Sequence, residues 1–334
     1  MTGPVLTLGC GEYDRTRALA DGSIRPDGFE LRYEALNPGP LFARMVRDRD
    51  LDIAEMSLST YLNLRARDDD GFVGLPVFPS RVFRHGYIFV NRDAGIERPE
   101  DLAGRRVGTM QWQLTSSLWL RGILADDHGV PQSAIEWFVG GQDEPGSHER
   151  APVDVPTDVR LQPIPAGTSL VGLLCEGKLD AVLAPHIPDR FRDGDPRIVR
   201  LFPDYPSVEA AWYRRTGLFP IMHLVVIRRD VHEAHPALAT ALFRAFSAAK
   251  AQALARLRFT GTLATMVPWL IAELETAEAL FGPRYWPYGV EANRPELETA
   301  IRYAGEQGIA RRALSVEELF ASETLGLVDT VDPS

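Results

Sequence analysis

Cysteine is nearly missing from this 334-residue chain: Cys10 and Cys175 are the only two, far apart and without metal-ligand spacing. A zinc site built on cysteine is excluded, a disulfide framework is disfavoured, and both residues read as small buried side chains. Long apolar runs are also missing, since no stretch approaches the roughly 20 residues that span a bilayer. Positive charge is scarce, with 36 Lys and Arg against 46 Asp and Glu, a formal balance of −10. General affinity for nucleic acid or an anionic membrane is therefore not expected, although a local basic pocket is compatible with this balance. Nucleotide signatures are lacking too: Gly9-Cys10-Gly11 has no third glycine of a dinucleotide fingerprint, and there is no phosphate-binding loop.

What is present is an ordinary folded composition, 45% apolar and 25% charged, in a chain long enough for two lobes at roughly 100–200 residues each. Leu6-Thr7-Leu8-Gly9-Cys10 is faintly like a lipoprotein cleavage site. It has no basic stretch before it and too short an apolar run for an export signal of about 7–15 residues. It reads as a first buried strand, and the protein is expected to be cytoplasmic.

Val5–Leu8 ends at a Gly9–Gly11 turn that delivers Glu12 to Thr16 to a strand end, and Phe29–Tyr33 alternates as a second strand. Leu41, Phe42, Met45 and Val46 keep helical spacing before a third strand at Leu51–Ala54. In such a βαβ series, the polar residues after each strand line one crevice. Tyr87–Val90 and Leu224–Ile227 are apolar twins that bracket a second α/β unit. That unit holds a helix near Ser116–Leu124, a Gly/Pro-rich connection from Gly140 to Gly167 and a strand at Leu179–Leu183. The expected architecture is α/β and two-lobed, with two crossing hinge strands and a ligand cleft between lobes. Residues 1–90 plus 224–334 form the first lobe with the C-terminal helices, and residues 91–223 form the inserted lobe. After Ile227 the spacing of Leu238, Ala241, Leu242, Ala245 and Phe246 is helical, and this third could supply a homo-oligomer interface.

Several segments together carry a family likeness: the Gly9–Thr16 turn, Pro79-Ser80-Arg81-Val82-Phe83-Arg84-His85, Trp137–Gly146, Gly172-Leu173-Leu174 followed by Gly177-Lys178-Leu179-Asp180-Ala181, and Tyr285-Trp286-Pro287-Tyr288-Gly289-Val290-Glu291-Ala292-Asn293. With these the chain resembles the 4,5-dihydroxyphthalate decarboxylase family from about residue 5 to residue 325. The resemblance implies a periplasmic-binding-protein-like type II fold used as a cytoplasmic lyase. It also implies non-oxidative loss of CO2 from a hydroxylated aromatic carboxylic acid. Two alternatives stay open: a solute-binding protein for a small organic anion, and another lyase on the same fold, such as one acting on chorismate-like acids.

Decarboxylating an aromatic ring calls for a proton donor to carbon, a group favouring the phenolate, cationic anchors for carboxylates and a closed cleft. His85 precedes the first crossing strand and His223 the second, so both are candidate acids if those strands are neighbours. Glu55, after the third strand, and Asp14, after the first, could each accept a phenolic proton or orient a histidine; Glu55 is the stronger base candidate, and Asp14 could instead pair near Arg15 or cap a helix. Arg15, Arg81 and Arg84 are candidate carboxylate anchors, with structural ion pairs the alternative. Ser57, Ser59 and Thr115 could bond a carboxylate or hydroxyl, or cap helices. Tyr13, Phe83, Trp112 and Trp286 offer flat faces to an aromatic ligand or simply pack the core, and Tyr288 follows Trp286 in the family-like segment. No cofactor is expected. Divalent-metal ligation by His85, His223 and Asp14 or Glu55 stays open, because such ligands need not be contiguous.

Overall fold

The computed structural model describes residues 3–146 and 149–329, so only residues 147 and 148 of the Gly140–Gly167 connection lie outside the described residues. The described strands are β1 (Val5–Cys10), β2 (Glu30–Ala35), β3 (Ile53–Ser57), β4 (Phe72–Arg81), β5 (Ile88–Asn91), β6 (Arg106–Thr109), β7 (Glu136–Val139), β8 (Arg160–Pro163), β9 (Ala181–Leu183), β10 (Ile198–Arg200) and β11 (Ile221–Arg228). They form two sheets, ordered β2-β1-β3-β11-β4 and β10-β5-β9-β6-β7-β8. In the first, β1 runs parallel to β2 and β3, while β11 runs antiparallel between β3 and β4. In the second, β6 is parallel to β7 and β9, and β5 is antiparallel to β9 and β10. β3 is buried along its whole length, as a central strand covered on both faces should be.

β4 escapes the sequence reading because Pro76 and Pro79 interrupt its pattern. Proline cannot donate to a ladder, so it is tolerated at a sheet edge, and β4 is the edge strand of its sheet. C-terminal residues cover that edge: the Gly289 amide donates to Pro76 O at 2.8 Å and the Ala321 amide to Gly74 O at 2.9 Å.

The chain leaves the first sheet after Arg81 and returns at Ile221, which pair with each other, and the Val82 amide donates to Pro220 O at 3.2 Å. This corrects the picture of two neighbouring crossing strands. Tyr87–Val90 falls largely within β5 of the second sheet, and Leu224–Ile227 lies within β11 of the first. The crossing itself is made by the irregular segments 82–87 and 217–220.

The helix Leu238–Arg258 packs on the first lobe, against β4. The helix Arg294–Glu306 also reaches the helix Thr115–His128 of the inserted lobe: Tyr303 meets Trp119 edge-on at 5.7 Å, and its hydroxyl lies 2.8 Å from Asp126 Oδ2. Trp119 has no exposed surface, and its indole donates to Ile221 O at 3.0 Å. Trp119→Ala is therefore expected to cost about 3–5 kcal/mol, read as a lower midpoint in urea unfolding; a midpoint equal to that of the parent chain would contradict this packing role. Among the described residues no helix is long and apolar enough to cross a membrane. Phe259, Leu263, Met266, Val267 and Trp269 are exposed between the helices Leu238–Arg258 and Leu270–Phe281.

Candidate functional site

The carboxyl ends of β1 and β3 and the entry of β11 converge at one buried carboxylate. Glu55 has no exposed surface. Its Oε2 accepts from the Gly11 amide at 2.8 Å and from the Cys10 thiol at 3.4 Å. Its Oε1 accepts from the Tyr13 hydroxyl at 2.7 Å and pairs with His223 Nδ1 at 2.5 Å. Burial alone would raise the Glu55 pKa, but the charge and hydrogen bond of His223, with the bonds from Tyr13 and Gly11, outweigh it and hold the group below the usual carboxylate range. Burial and the Glu55 charge push the Tyr13 phenol and the Cys10 thiol up, so both stay protonated.

His223 reaches Glu55 because β11 lies antiparallel on β3, with His223 opposite Ser57 and Val225 opposite Glu55. Its ring meets Phe42 edge-on at 4.8 Å between centroids. With Nδ1 committed to Glu55, Nε2 is the position free to exchange a proton. Glu55, holding four donors, has no spare reach toward a ligand. Of the two roles its position allowed, accepting a proton or orienting a histidine, this bonding suits the second.

Beside this pair the two lobes touch through hydroxyls. Ser57 Oγ lies 2.8 Å and Ser59 Oγ 3.0 Å from Thr115 Oγ1, which also accepts from the Ser59 amide at 3.1 Å; Ser59 Oγ donates to Gln113 O. The helices Leu58–Ala66 and Thr115–His128 begin here, and the positive ends of their dipoles favour an anion. Gly11 and Tyr13, which bond Glu55, also line a depression of about 490 Å³ with Ala35, Asn37 and Pro38.

Arg15 lies between two rings, 4.2 Å from the Tyr13 centroid and 4.5 Å from that of Trp286, with Nε donating to Pro79 O at 2.6 Å. Asp14 is half-exposed and pairs with Arg15 Nη1 at 3.0 Å. The Trp286 indole is anchored on Phe78 O at 2.9 Å. Trp286 also lines, with Lys250 and Tyr288, a cavity of about 500 Å³.

The remaining candidates sit elsewhere. His85 is 2% exposed, edge-on to Phe202 at 5.6 Å and Trp212 at 5.5 Å, with Nδ1 3.8 Å from Glu209 Oε1. Burial lowers its pKa to about 4, so it is neutral at pH 7. Among the described residues no bond, ion pair or ring contact joins it to His223, because the expected pair required neighbouring crossing strands. Arg81 is buried against Glu296 at 3.3 Å and donates to Phe219 O at 3.1 Å. Arg84 donates to Pro185 O at 3.0 Å and to Met222 Sδ at 3.1 Å, and burial pulls its pKa down to about 10. Both arginines tie hinge elements together instead of offering free forks to a ligand. Phe83 stacks on Phe219 at 4.8 Å in a satellite aromatic cluster. Trp112 is wholly buried and donates to Gln307 O at 2.8 Å, and Tyr288 is buried beneath Lys250.

Arg150 is a cleft cation that the sequence reading missed. Its guanidinium lies 5.3 Å from the Phe42 centroid, on the ring that touches His223, and its buried Nη1 has no protein partner. It belongs to an irregular segment without periodicity, so no local pattern marks it. Among the described residues no group of three or more His, Cys, Asp or Glu is arranged to hold a metal ion.

Residues 28–157 match a family model described as "ABC transporter, phosphonate, periplasmic substrate-binding protein". A protein of Comamonas testosteroni named 4,5-dihydroxyphthalate decarboxylase is 37% identical over 320 residues, covering 96% of this chain and 97% of that one. One of the same name from Pseudomonas putida is 38% identical over 209 residues, 63% of this chain and 81% of its own length. The periplasmic aliphatic sulphonate binding protein of Escherichia coli superposes with a TM-score of 0.53 at 16% identity, covering 96% of this chain and 99% of that one. This last likeness shows the fold.

Proposed function

The chain belongs to the 4,5-dihydroxyphthalate decarboxylase family, and from that membership we infer that it is a carboxy-lyase acting on a hydroxylated aromatic acid in the interlobe cleft. The observation carrying the site assignment is the Glu55–His223 pair beside the hydroxyl-lined helix starts. In the proposed reaction a ring hydroxyl conjugated with the departing carboxylate gives its proton to solvent, to be regained once CO2 has left, and feeds electrons into the ring. His223 Nε2 delivers a proton to the carbon bearing the carboxylate, forming the new C–H bond. The C–C bond then breaks, its electron pair restores aromaticity, and CO2 leaves. Net, the ring carboxylate takes up one proton and releases CO2, with no oxidation or reduction.

Ser57, Thr115 and Arg150 are proposed to seat the carboxylates, since hydroxyls, helix N-termini and a guanidinium all favour anions. Arg15 stiffens the wall through Tyr13. The ring itself is the electron sink, so this reading calls for no cofactor. It places the reaction in the cytoplasm, to be checked by cell fractionation, and leaves a homo-oligomer through the exposed Phe259–Trp269 segment to light scattering.

The test is incubation with 4,5-dihydroxyphthalate and related hydroxybenzoates in deuterated water, following CO2 and the ring protons. The expected product carries one deuterium at the vacated carbon, and turnover is unchanged by chelator. Silence across the panel would sink the substrate class. Tight binding without turnover would favour a solute-binding role, the reading suggested by the phosphonate-binding match.

A further inference from the structure

Gln113, next to the hydroxyls that join the lobes, has no exposed surface. Its backbone oxygen accepts from Ser59 Oγ. Ser57, bonded to Ser59 and Thr115, stands opposite His223 in the register of β11 on β3. The side-chain oxygen of Gln113 faces the amides of Arg150 and Ala151, at 2.5 and 2.9 Å, because backbone amides can only donate. Its own amide donates to Glu149 Oε2 at 3.3 Å, and the Trp112 amide donates to Glu149 Oε1. Residues 149–151 are thus bonded to the two residues just before Leu114 and the helix Thr115–His128.

The residues that follow are held by the other lobe. Pro152 O accepts from Asn63 Nδ2 at 2.8 Å, on the helix Leu58–Ala66, and Asp154 Oδ2 accepts from Arg67 Nη2 at 2.8 Å. The Asp154 amide donates to Gly308 O at 2.9 Å. Residues 149–154 therefore form a strap from the inserted lobe to the first, and Arg150 rides on it, 5.3 Å from the Phe42 ring. Arg121, buried over Trp112 at 3.9 Å, is bonded only to neutral oxygens, those of Gln307 and Trp112. The Glu149 charge is what offsets the cost of burial for Arg121 and Arg150 alike. Two cations share one carboxylate there, which leaves one positive charge for an anionic ligand.

We propose that Glu149 is a positioning residue for the decarboxylation: seated on the Trp112 and Gln113 amides, it fixes the strap and aims Arg150 at a substrate carboxylate. The assignment rests on the reading of the cleft as an aromatic-acid site. It deepens that reading, because the anchor is held in place by a second residue that needs no contact with substrate. A glutamine at this position meets two donating amides with only one acceptor oxygen, and its NH2 is turned against a donor. An aspartate keeps the charge but is one methylene too short to reach both amides.

The experiment is a double-mutant cycle on the binding of phthalate, measured by calorimetry in the parent chain, Glu149→Gln, Arg150→Met and the double variant. Phthalate carries two carboxylates and no ring hydroxyl, so the proposed reaction leaves it intact. Arg150→Met is expected to weaken phthalate by about 10- to 100-fold, and Glu149→Gln by about 10-fold. The double variant is expected to match Arg150→Met within about twofold, since Glu149 acts through that cation. Losses that multiply would mean that Glu149 only supports the fold, and they overturn the proposal. It is overturned equally if the parent does not bind phthalate, or if either single variant binds it as tightly as the parent. Should Glu149→Gln not fold, Glu149→Asp takes its place in the cycle with the same expectation. CO2 release from 4,5-dihydroxyphthalate by the parent separates this inference from the reading beneath it. The expected cycle without CO2 release keeps the positioning role and sinks the decarboxylase reading; CO2 release with multiplying losses sinks only the present inference. With turnover present, Glu149→Gln is expected to raise KM by more than it lowers kcat, and the reverse overturns the positioning role.

Discussion

His223→Gln is expected to lower kcat by about 10²–10⁴-fold, the usual worth of a positioned proton donor. The substrate Kd is expected to change by less than about tenfold, since His223 is asked to exchange a proton and the proposed anchors are other groups. Glutamine keeps a similar length and can still bond Glu55, so packing against Phe42 is largely preserved and loss of fold does not confuse the result. Single-turnover CO2 release gives the chemical step, and calorimetry with a non-reacting product analogue gives affinity. Near-normal turnover in His223→Gln would falsify the assignment of the proton donor. A loss appearing only in Kd would make His223 a binding residue.

Glu55→Gln should be nearly as damaging to turnover, for a reason visible in the bonding. The carboxylate takes only donors, so it fixes the His223 proton on Nδ1. A glutamine must turn its oxygen toward the Gly11 amide, which cannot do other than donate, and its NH2 toward Tyr13 and His223. With an N–H donor now facing Nδ1, the imidazole is held neutral and cannot form the imidazolium whose Nε2 proton the mechanism delivers. Removing a carboxylate that fixes a catalytic histidine's tautomer costs on the order of 10⁴ in a comparable triad, and about 10²–10⁴ in kcat is expected here.

The same substitution has a stability signature whose pH sign follows from the Glu55 shift. The folded-state pKa of Glu55 lies below its unfolded value. The ionised carboxylate therefore contributes its full stabilisation above the ordinary glutamate value of about 4.3, and the contribution fades as pH falls through the lower folded value. Breaking a buried pair by removing one partner costs about 3–5 kcal/mol. The gap between parent and Glu55→Gln in urea unfolding is thus expected to be widest near neutrality and to narrow in acid. A gap that widens on acidification would contradict the depressed pKa.

Local pattern announced a good deal of this. Alternation and short apolar runs marked β1, β2 and β3, and the polar residues after them, Tyr13, Glu55 and Ser57, could be named because residues beyond strand ends share a crevice. Thr115 could be named only as a hydroxyl able to bond a ligand or cap a helix. The family-like segments reached as far as the class of reaction, and relatives at 37–38% identity carry the same name. β4 was hidden because prolines erase the strand signal wherever an edge position makes them harmless.

The sequence alone determined the α/β lobes, the buried cysteines, the acidic balance and the polar strand ends, since these depend on composition and short-range periodicity. Only the tertiary structure decided which of those strand ends meet. Glu55 and His223 are 168 positions apart and become partners through the antiparallel register of β11 on β3. His85, though it belongs to an equally suggestive segment, lies against Glu209, Phe202 and Trp212, while its neighbour Arg84 bonds Pro185 and Met222. Arg150 lies in an irregular connection where no period applies, and nothing local distinguishes it from solvated neighbours. Side-chain direction after a bend, and register between distant strands, are settled by packing and by the need to pair every buried polar group, and neither is written in any short stretch of chain.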